Sequence, residues 1–144
     1  MHITRQIHVP GATPEDVVHV LSSRQGAVHF RDIQKYESFE RLKNGAVSVS
    51  YGTGIPLVPR VQLTVYPNFN TNSVEFDGAF LGGTLRGRWV CRRAPGPDPD
   101  PGAVVTIEQS VSGPITALPW FETLVSRRVE RAVYDVSKLE TGQL

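Results

Sequence analysis

The chain has 144 residues, 40% of them hydrophobic and 20% charged, with a formal net charge of +1. A chain of this length is expected to fold as one domain over 1–144, burying about 70% of the surface its unfolded form exposes, and the composition excludes wholesale disorder. The small charge excludes a whole-domain electrostatic drive toward nucleic acid, and no apolar run reaches the roughly 20 residues of a membrane span.

Taken in chain order, His2 to Val9 alternates, with Ile3, Ile7 and Val9 on one parity, and reads as a first strand. Gly11 to Asp16 opens a helix. Thr13 is its N-cap, Pro14 fits the first helical position, and Glu15 and Asp16 complement the positive end of the helix dipole. This helix is expected to end near Ser22, and a second short helical piece around Gln25 to Phe30. Strand signals then dominate. Asp32 to Leu42 ends at the Lys43-Asn44-Gly45 turn, and Ala46 to Tyr51 places Val47, Val49 and Tyr51 on one face. Gly52 to Pro59 reads as a loop with an apolar tip. Arg60 to Tyr66 alternates, and Pro67-Asn68-Phe69-Asn70 is expected to break it. Asn72 to Phe76 is a short strand and Gly82 to Arg92 a long one. The proline-rich Ala94 to Gly102 supports neither helix nor central strand, and Val104 to Val111 is the last strand. After Gly113-Pro114 and Leu118-Pro119 the period changes from two to 3.6. Between Trp120 and about Leu139, Phe121, Leu124, Val125, Arg128, Val129, Ala132, Val133, Val136 and Leu139 form one broad stripe.

Six consecutive strands joined by short turns pair antiparallel, and the C-terminal helix is the only large apolar element able to cover the sheet. The expected class is α+β. A curved antiparallel sheet of about seven strands wraps around a long C-terminal helix, with one or two short helices after the first strand. Cys91 is the only cysteine, so no intrachain disulfide forms. With no targeting segment visible, this suits the cytoplasm or an organelle stroma.

Three places carry a family resemblance. They are Ile3-Thr4-Arg5-Gln6-Ile7-His8-Val9 followed by Thr13 to Val18, Leu85 to Cys91 followed by a loop and Val104 to Glu108, and the helix from Trp120-Phe121 to Leu139. In order and spacing the whole chain resembles the helix-grip superfamily (SRPBCC), which contains START lipid-transfer domains, polyketide cyclase/dehydrase-like proteins and the coenzyme Q-binding protein family. The resemblance implies a cavity between the concave sheet face and the last helix. It implies a hydrophobic small molecule there, such as a lipid, quinone or polyketide. The chain is much shorter than a full START domain, which points to a compact ligand.

Parity assigns the inward-facing residues, and a one-residue slip would reverse a strand's face. The expected lining from the sheet is Val49, Tyr51, Leu63, Val65, Trp89, Ile107 and Gln109, with Tyr36 as a further phenol. Phe121, Val125, Arg128 and Val129 line it from the helix. Trp89 serves either as core or as a wall of the site. Gln109 interrupts an apolar face, and a buried amide needs a partner, from the protein, from water or from a ligand. Arg128 either binds an anionic ligand group or snorkels to pair with an acid such as Glu108 or Glu122. Arg86 and Arg88 have the opposite parity and are expected in solvent, paired across strands with Glu108 or Thr106.

His2, His8, His19 and His29 are dispersed, and no metal-ligand spacing, nucleophile elbow or phosphate loop is present. No cofactor and no metal are therefore expected. The leading reading is a binder or carrier of a hydrophobic small molecule. The alternatives are a cyclase/dehydratase-like enzyme using Tyr51, Gln109 or Arg128 in acid-base chemistry without metal, and an interaction module. In that last case Ile55, Leu57 and Val58 would make a transient contact with membrane or protein.

Overall fold

A computed structural model describes residues 1–22, 35–55, 58–95 and 102–137. The chain order is β1 (His2–Val9), α1 (Pro14–Leu21), β2 (Lys35–Arg41), β3 (Val47–Ile55), β4 (Val58–Asn68), β5 (Ser73–Phe80), β6 (Gly83–Arg93), β7 (Ala103–Ser112), a 3₁₀ turn (Pro114–Ala117) and α2 (Pro119–Ser137). The seven strands form one antiparallel sheet in the order β1-β7-β6-β5-β4-β3-β2. Five consecutive pairings, from β2·β3 to β6·β7, are hairpin neighbours. Only the β1·β7 pair joins distant parts of the chain.

Helix α1 starts as its sequence dictates. The Thr13 hydroxyl accepts the Asp16 backbone N–H at 3.1 Å, Pro14 occupies the first turn, and Ser22 closes the helix with its hydroxyl donating to the Val18 carbonyl at 2.7 Å. Val17, Val18 and Val20 are buried. Replacing Thr13 with Ala removes one capping bond, and thermal unfolding should register a loss of about 1 kcal/mol.

Several strand ends differ from expectation; the segment from Gly52 to Pro59, expected as a loop, instead carries β3 on to Ile55 and starts β4 at Val58. Strand β4 runs through Pro67 to Asn68. Strand β3 begins opposite Val65, so at Pro67 β4 has only β5 beside it, where Val74 is its partner. A residue without an N–H is tolerated on that open side. Strand β5 continues past Phe76 to Phe80 because Gly78 is a strand residue, not a turn residue. A Cβ at Gly78 would collide with the Gln62 carbonyl oxygen of β4, so the two strands approach as closely as they do only with glycine there. The helical piece expected at Gln25 to Phe30, and the end of the last helix at Leu139, lie outside the described residues.

The expected parity holds across the sheet. One row reads Val47, Val65, Phe76, Gly87, Gln109, Ile3. The next, toward the β5–β6 turn, reads Phe39, Val49, Leu63, Gly78, Leu85, Val111. Val17, Val18 and Val20 of α1 join the core formed by this face, as do Phe121, Val125, Val129, Val133 and Val136 of α2. Helix α1 lies against β4 to β7, and α2 comes closest to β1 and the 3₁₀ turn. The α2 stripe is spaced four, four, four and three residues apart, which keeps its buried side chains on one line. Arg5 of β1 shares parity with Ile3 and Ile7 and meets Glu130 of α2 at 3.3 Å. Both side chains are well exposed, so this pair marks the seam between helix and sheet edge but adds little stability.

Candidate functional site

The concave face is not evenly closed. Toward α1 its side chains are sealed. Trp89 is 8% exposed and Ile107 3%, in a row with Val74, and Cys91 and Val105 beyond them are also buried. Toward the β5–β6 turn, large apolar side chains of the same parity stay half-buried. These are Phe39, Tyr51, Leu63, Phe80 and Leu85. They lie on five neighbouring strands, β2 to β6, and the turn side of this region is bounded by Phe121, whose ring centroid is 6.4 Å from that of Phe80. Gly78 sits between Leu63 and Leu85 and offers no side chain to fill the space there.

The candidate residues therefore separate into two groups. Leu63 and Tyr51 belong to the half-buried region, and Val49 beside them is buried. Trp89, Ile107, Val65, Val125 and Val129 are core residues by burial. Phe121 is buried as well, but at the boundary of the half-buried region. Tyr36 lies on β2 opposite Tyr51 in register, and its side chain is outside the described ones. Phe80 and Phe39 belong with the first group, yet parity alone does not single them out. Phe80 escapes because the alternation of β5 breaks off at Phe76. Phe39 stands in a mainly polar edge strand, Lys35–Arg41, with no apolar alternation to flag it.

The polar groups are spread out. Gln109 is half-buried, and its neighbours across the sheet are Gly87 and Ile3, neither of which offers a side-chain hydrogen-bonding group. Tyr51 lies four strands from Gln109, on β3 against β7, and in a different row, opposite Val61. Four strand spacings are about 19 Å along the sheet. Burial pushes the Tyr51 phenol up to about 12, so it remains protonated at neutral pH. Burial likewise pushes the Cys91 thiol up to about 12, consistent with a small apolar core residue and not a nucleophile. Arg128 is half-buried on α2 and has an interaction partner in the protein. On the outer face Arg88 pairs with Glu108 at 3.0 Å, as its parity requires. Among the described residues no group of His, Cys, Asp or Glu could hold a metal ion, and no helix is long and apolar enough to cross a membrane. In the apolar 55–59 segment, Pro56 and Leu57 fall outside the described residues, and so do the side chains of Ile55, Val58 and Pro59.

No protein-family model matches the chain, and no curated protein matches it in sequence. Solved structures do match. TTHA0849 of Thermus thermophilus superposes with a TM-score of 0.75 at 13% identity, over 96% of this chain and 95% of that one. The Zhui aromatase/cyclase of Streptomyces sp. R1128 gives 0.72 at 17% identity, over 95% and 91%. A START superfamily protein of Mycobacterium smegmatis gives 0.60 at 12% identity, over 99% and 95%. At these identities the likeness is one of fold, and it extends over nearly the whole of each chain. The seven-stranded antiparallel sheet closed by a long C-terminal helix is the helix-grip fold that these proteins share.

Proposed function

We propose that this protein binds one compact, mainly apolar molecule on the half-buried part of its concave face. The observation that carries the reading is the set of inward-facing Phe39, Leu63, Phe80 and Leu85 that the protein's own helices leave half-covered. Side chains of this size normally complete a core, and closing them off from water is worth about 25 cal/mol per Å² of apolar surface. A ligand of matching shape supplies the missing cover. Gln109 supplies an amide to orient a carbonyl or hydroxyl, and Tyr51 a hydroxyl that keeps its proton.

The START superfamily and aromatase/cyclase names of proteins with the same fold support a small-molecule site and leave two uses for it. Carriage needs only the apolar face and an orienting amide. Cyclisation needs an acid-base group beside the reacting carbon. Carriage makes the smaller demand on the residues of this face, and it is the use we propose.

Titration with the neutral probe N-phenyl-1-naphthylamine tests the site. Wild-type protein should enhance its fluorescence saturably. Leu63→Glu places a charge among the half-buried side chains and should weaken the probe at least tenfold, with the far-ultraviolet dichroism preserved. Leu85→Phe, which fills space without charge, should weaken it by a smaller factor. Equal binding by all three proteins would sink the proposal.

A further inference from the structure

The turn between β2 and β3 carries the pair Asn44-Gly45, and Asn44 alone of the four asparagines precedes a glycine. Its side-chain amide carbon and the next backbone nitrogen can close a five-membered ring, and glycine has no Cβ to shield that nitrogen. The turn is built around these two residues. The Gly45 N–H donates to the Leu42 carbonyl at 3.1 Å, and the Leu42 N–H to the Ala46 carbonyl at 2.8 Å. Gly45 has a φ of 84°. A three-residue loop closed in this way is a type I turn followed by a left-handed glycine, with Lys43 and Asn44 at its two central positions. The Asn44 Oδ1 accepts the Ala46 N–H at 3.1 Å.

This arrangement holds the ring open. At the second central position of a type I turn ψ is about 0°, which sets the Gly45 nitrogen about 120° around the Cα–C bond from the Asn44 Cβ. Ring closure needs the two nearly eclipsed. It also needs the Gly45 nitrogen to release the proton it shares with Leu42, and the Asn44 amide to leave Ala46. Asn44 and Gly45 are both exposed, so water reaches them and backbone geometry alone withholds the reaction. The restraint lasts only while β2 stays paired. Strand β2 lies at one end of the sheet, pairs with β3 alone among the described strands, and shifts register between Tyr36 and Ser38. An edge strand with such an irregularity opens before the interior of the sheet. Asp77-Gly78 also places a carboxyl before a glycine, but it is paired with β4 on one side and β6 on the other.

We propose that Asn44 is a self-modification site, silent in the closed hairpin and converted to isoaspartate when β2 leaves β3. The Gly45 nitrogen attacks the Asn44 Cγ. A Cγ–N bond forms, the bond from Cγ to the amide nitrogen breaks, and ammonia leaves with the proton from Gly45. Water then opens the cyclic imide. Addition at Cγ gives aspartate. Addition at the Asn44 backbone carbonyl gives isoaspartate, whose main chain runs through the former side chain. Aspartate is harmless to the turn, because its carboxylate still accepts the Ala46 N–H. Isoaspartate lengthens the turn by one main-chain atom, so Arg41 with Val47 and Phe39 with Val49 no longer pair in register. Strand β2 then stays loose, and Phe39 is lost from the half-buried face. This last consequence rests on the function proposed above, while the modification itself does not.

Incubation in oxygen-18 water at mildly alkaline pH, followed by peptide mapping, tests it. Unfolded in urea, the chain should convert Asn44 ahead of Asn68, Asn70 and Asn72 and take up heavy oxygen there. Native protein should convert it at least tenfold more slowly. Urea below the unfolding midpoint should raise the native rate severalfold while the far-ultraviolet dichroism stays unchanged. The purified isoaspartate form should bind N-phenyl-1-naphthylamine at least tenfold more weakly than wild type, and Asn44→Asp protein as tightly as wild type. Equal rates in folded and unfolded protein overturn the proposal, as does an unfolded chain that shows no preference for Asn44. A native rate that rises only as the dichroism is lost overturns the assignment to β2 opening. Isoaspartate formation without loss of probe affinity overturns the link to Phe39. Wild-type protein that modifies as expected but ignores the probe overturns the ligand site and leaves the modification standing.

Discussion

Replacing Gly87 with Ala should destabilise the protein by about 1–3 kcal/mol, and Gly87→Val by more. Gly87 sits on β6 with Phe76 of β5 on one side and Gln109 of β7 on the other. A Cβ there would lie 2.6 Å from Cζ and 2.9 Å from Cε2 of the Phe76 ring, and closer still to the Glu108 carbonyl oxygen. The ring can rotate away, but the carbonyl belongs to the β7 ladder and cannot move alone. Relief therefore requires β6 and β7 to separate at Gly87 and Glu108, next to the buried Trp89 and Ile107 pair. Urea midpoints measure the loss. A double-mutant cycle with Phe76→Leu divides it, because that change removes the ring clash and leaves the carbonyl clash. Recovery of most of the lost stability in the double mutant would show that the ring, not the strand spacing, makes glycine necessary.

Gly87 also shows why the sequence exposes some of this molecule and conceals the rest. Parity places Leu85, Gly87, Trp89 and Cys91 on the inner face, and the register agrees, because alternation is a local property of each strand. The α2 stripe is equally legible, from Phe121 through Val136, since every third or fourth residue is apolar. Parity assigns a face but no position along the strand. It cannot separate Trp89, sealed beneath α1, from Leu63, left half-covered, because that difference depends on where two helices come to rest. Arg5 is a sharper case. It occupies an inward position by parity, yet at the sheet edge its side chain stays well exposed and reaches the Thr4 carbonyl and Glu130, 125 residues later. Phe80 is hidden by its context. Asp77 and Gly78 interrupt the apolar alternation, yet both are ordinary members of the β4·β5 ladder, paired with Thr64 and Leu63.

Raising the pH above 9 should remove stability in two steps, assignable to Cys91 and Tyr51. Both groups are neutral acids whose pKa values burial raises to about 12, from 9.0 for the thiol and 10.0 for the phenol. The folded state thus holds both protons after the unfolded chain has released them, and the unfolded state gains from each ionisation first. Stability is whole below pH 9. It falls with Cys91 between pH 9 and 12 and with Tyr51 between pH 10 and 12, each contributing a slope of about 1.4 kcal/mol per pH unit. For Tyr51 the total is about 3 kcal/mol, a large share of the roughly 5–15 kcal/mol that holds a domain folded. Urea midpoints taken at half-unit intervals should fall from pH 9 in the wild type and only from pH 10 in Cys91→Ala. In Tyr51→Phe the fall should begin at 9 but proceed with the shallower slope of one group. A pH-independent offset in either variant reports packing alone, so the slope carries the test. An undiminished slope between pH 9 and 10 in Cys91→Ala would show that the thiol is not the first proton lost. The Tyr51 result bears directly on function. A phenol that resists ionisation up to about pH 12 can donate a hydrogen bond to a bound carbonyl and cannot act as a base at neutral pH. Under the function proposed above, that donated hydrogen bond would orient the ligand.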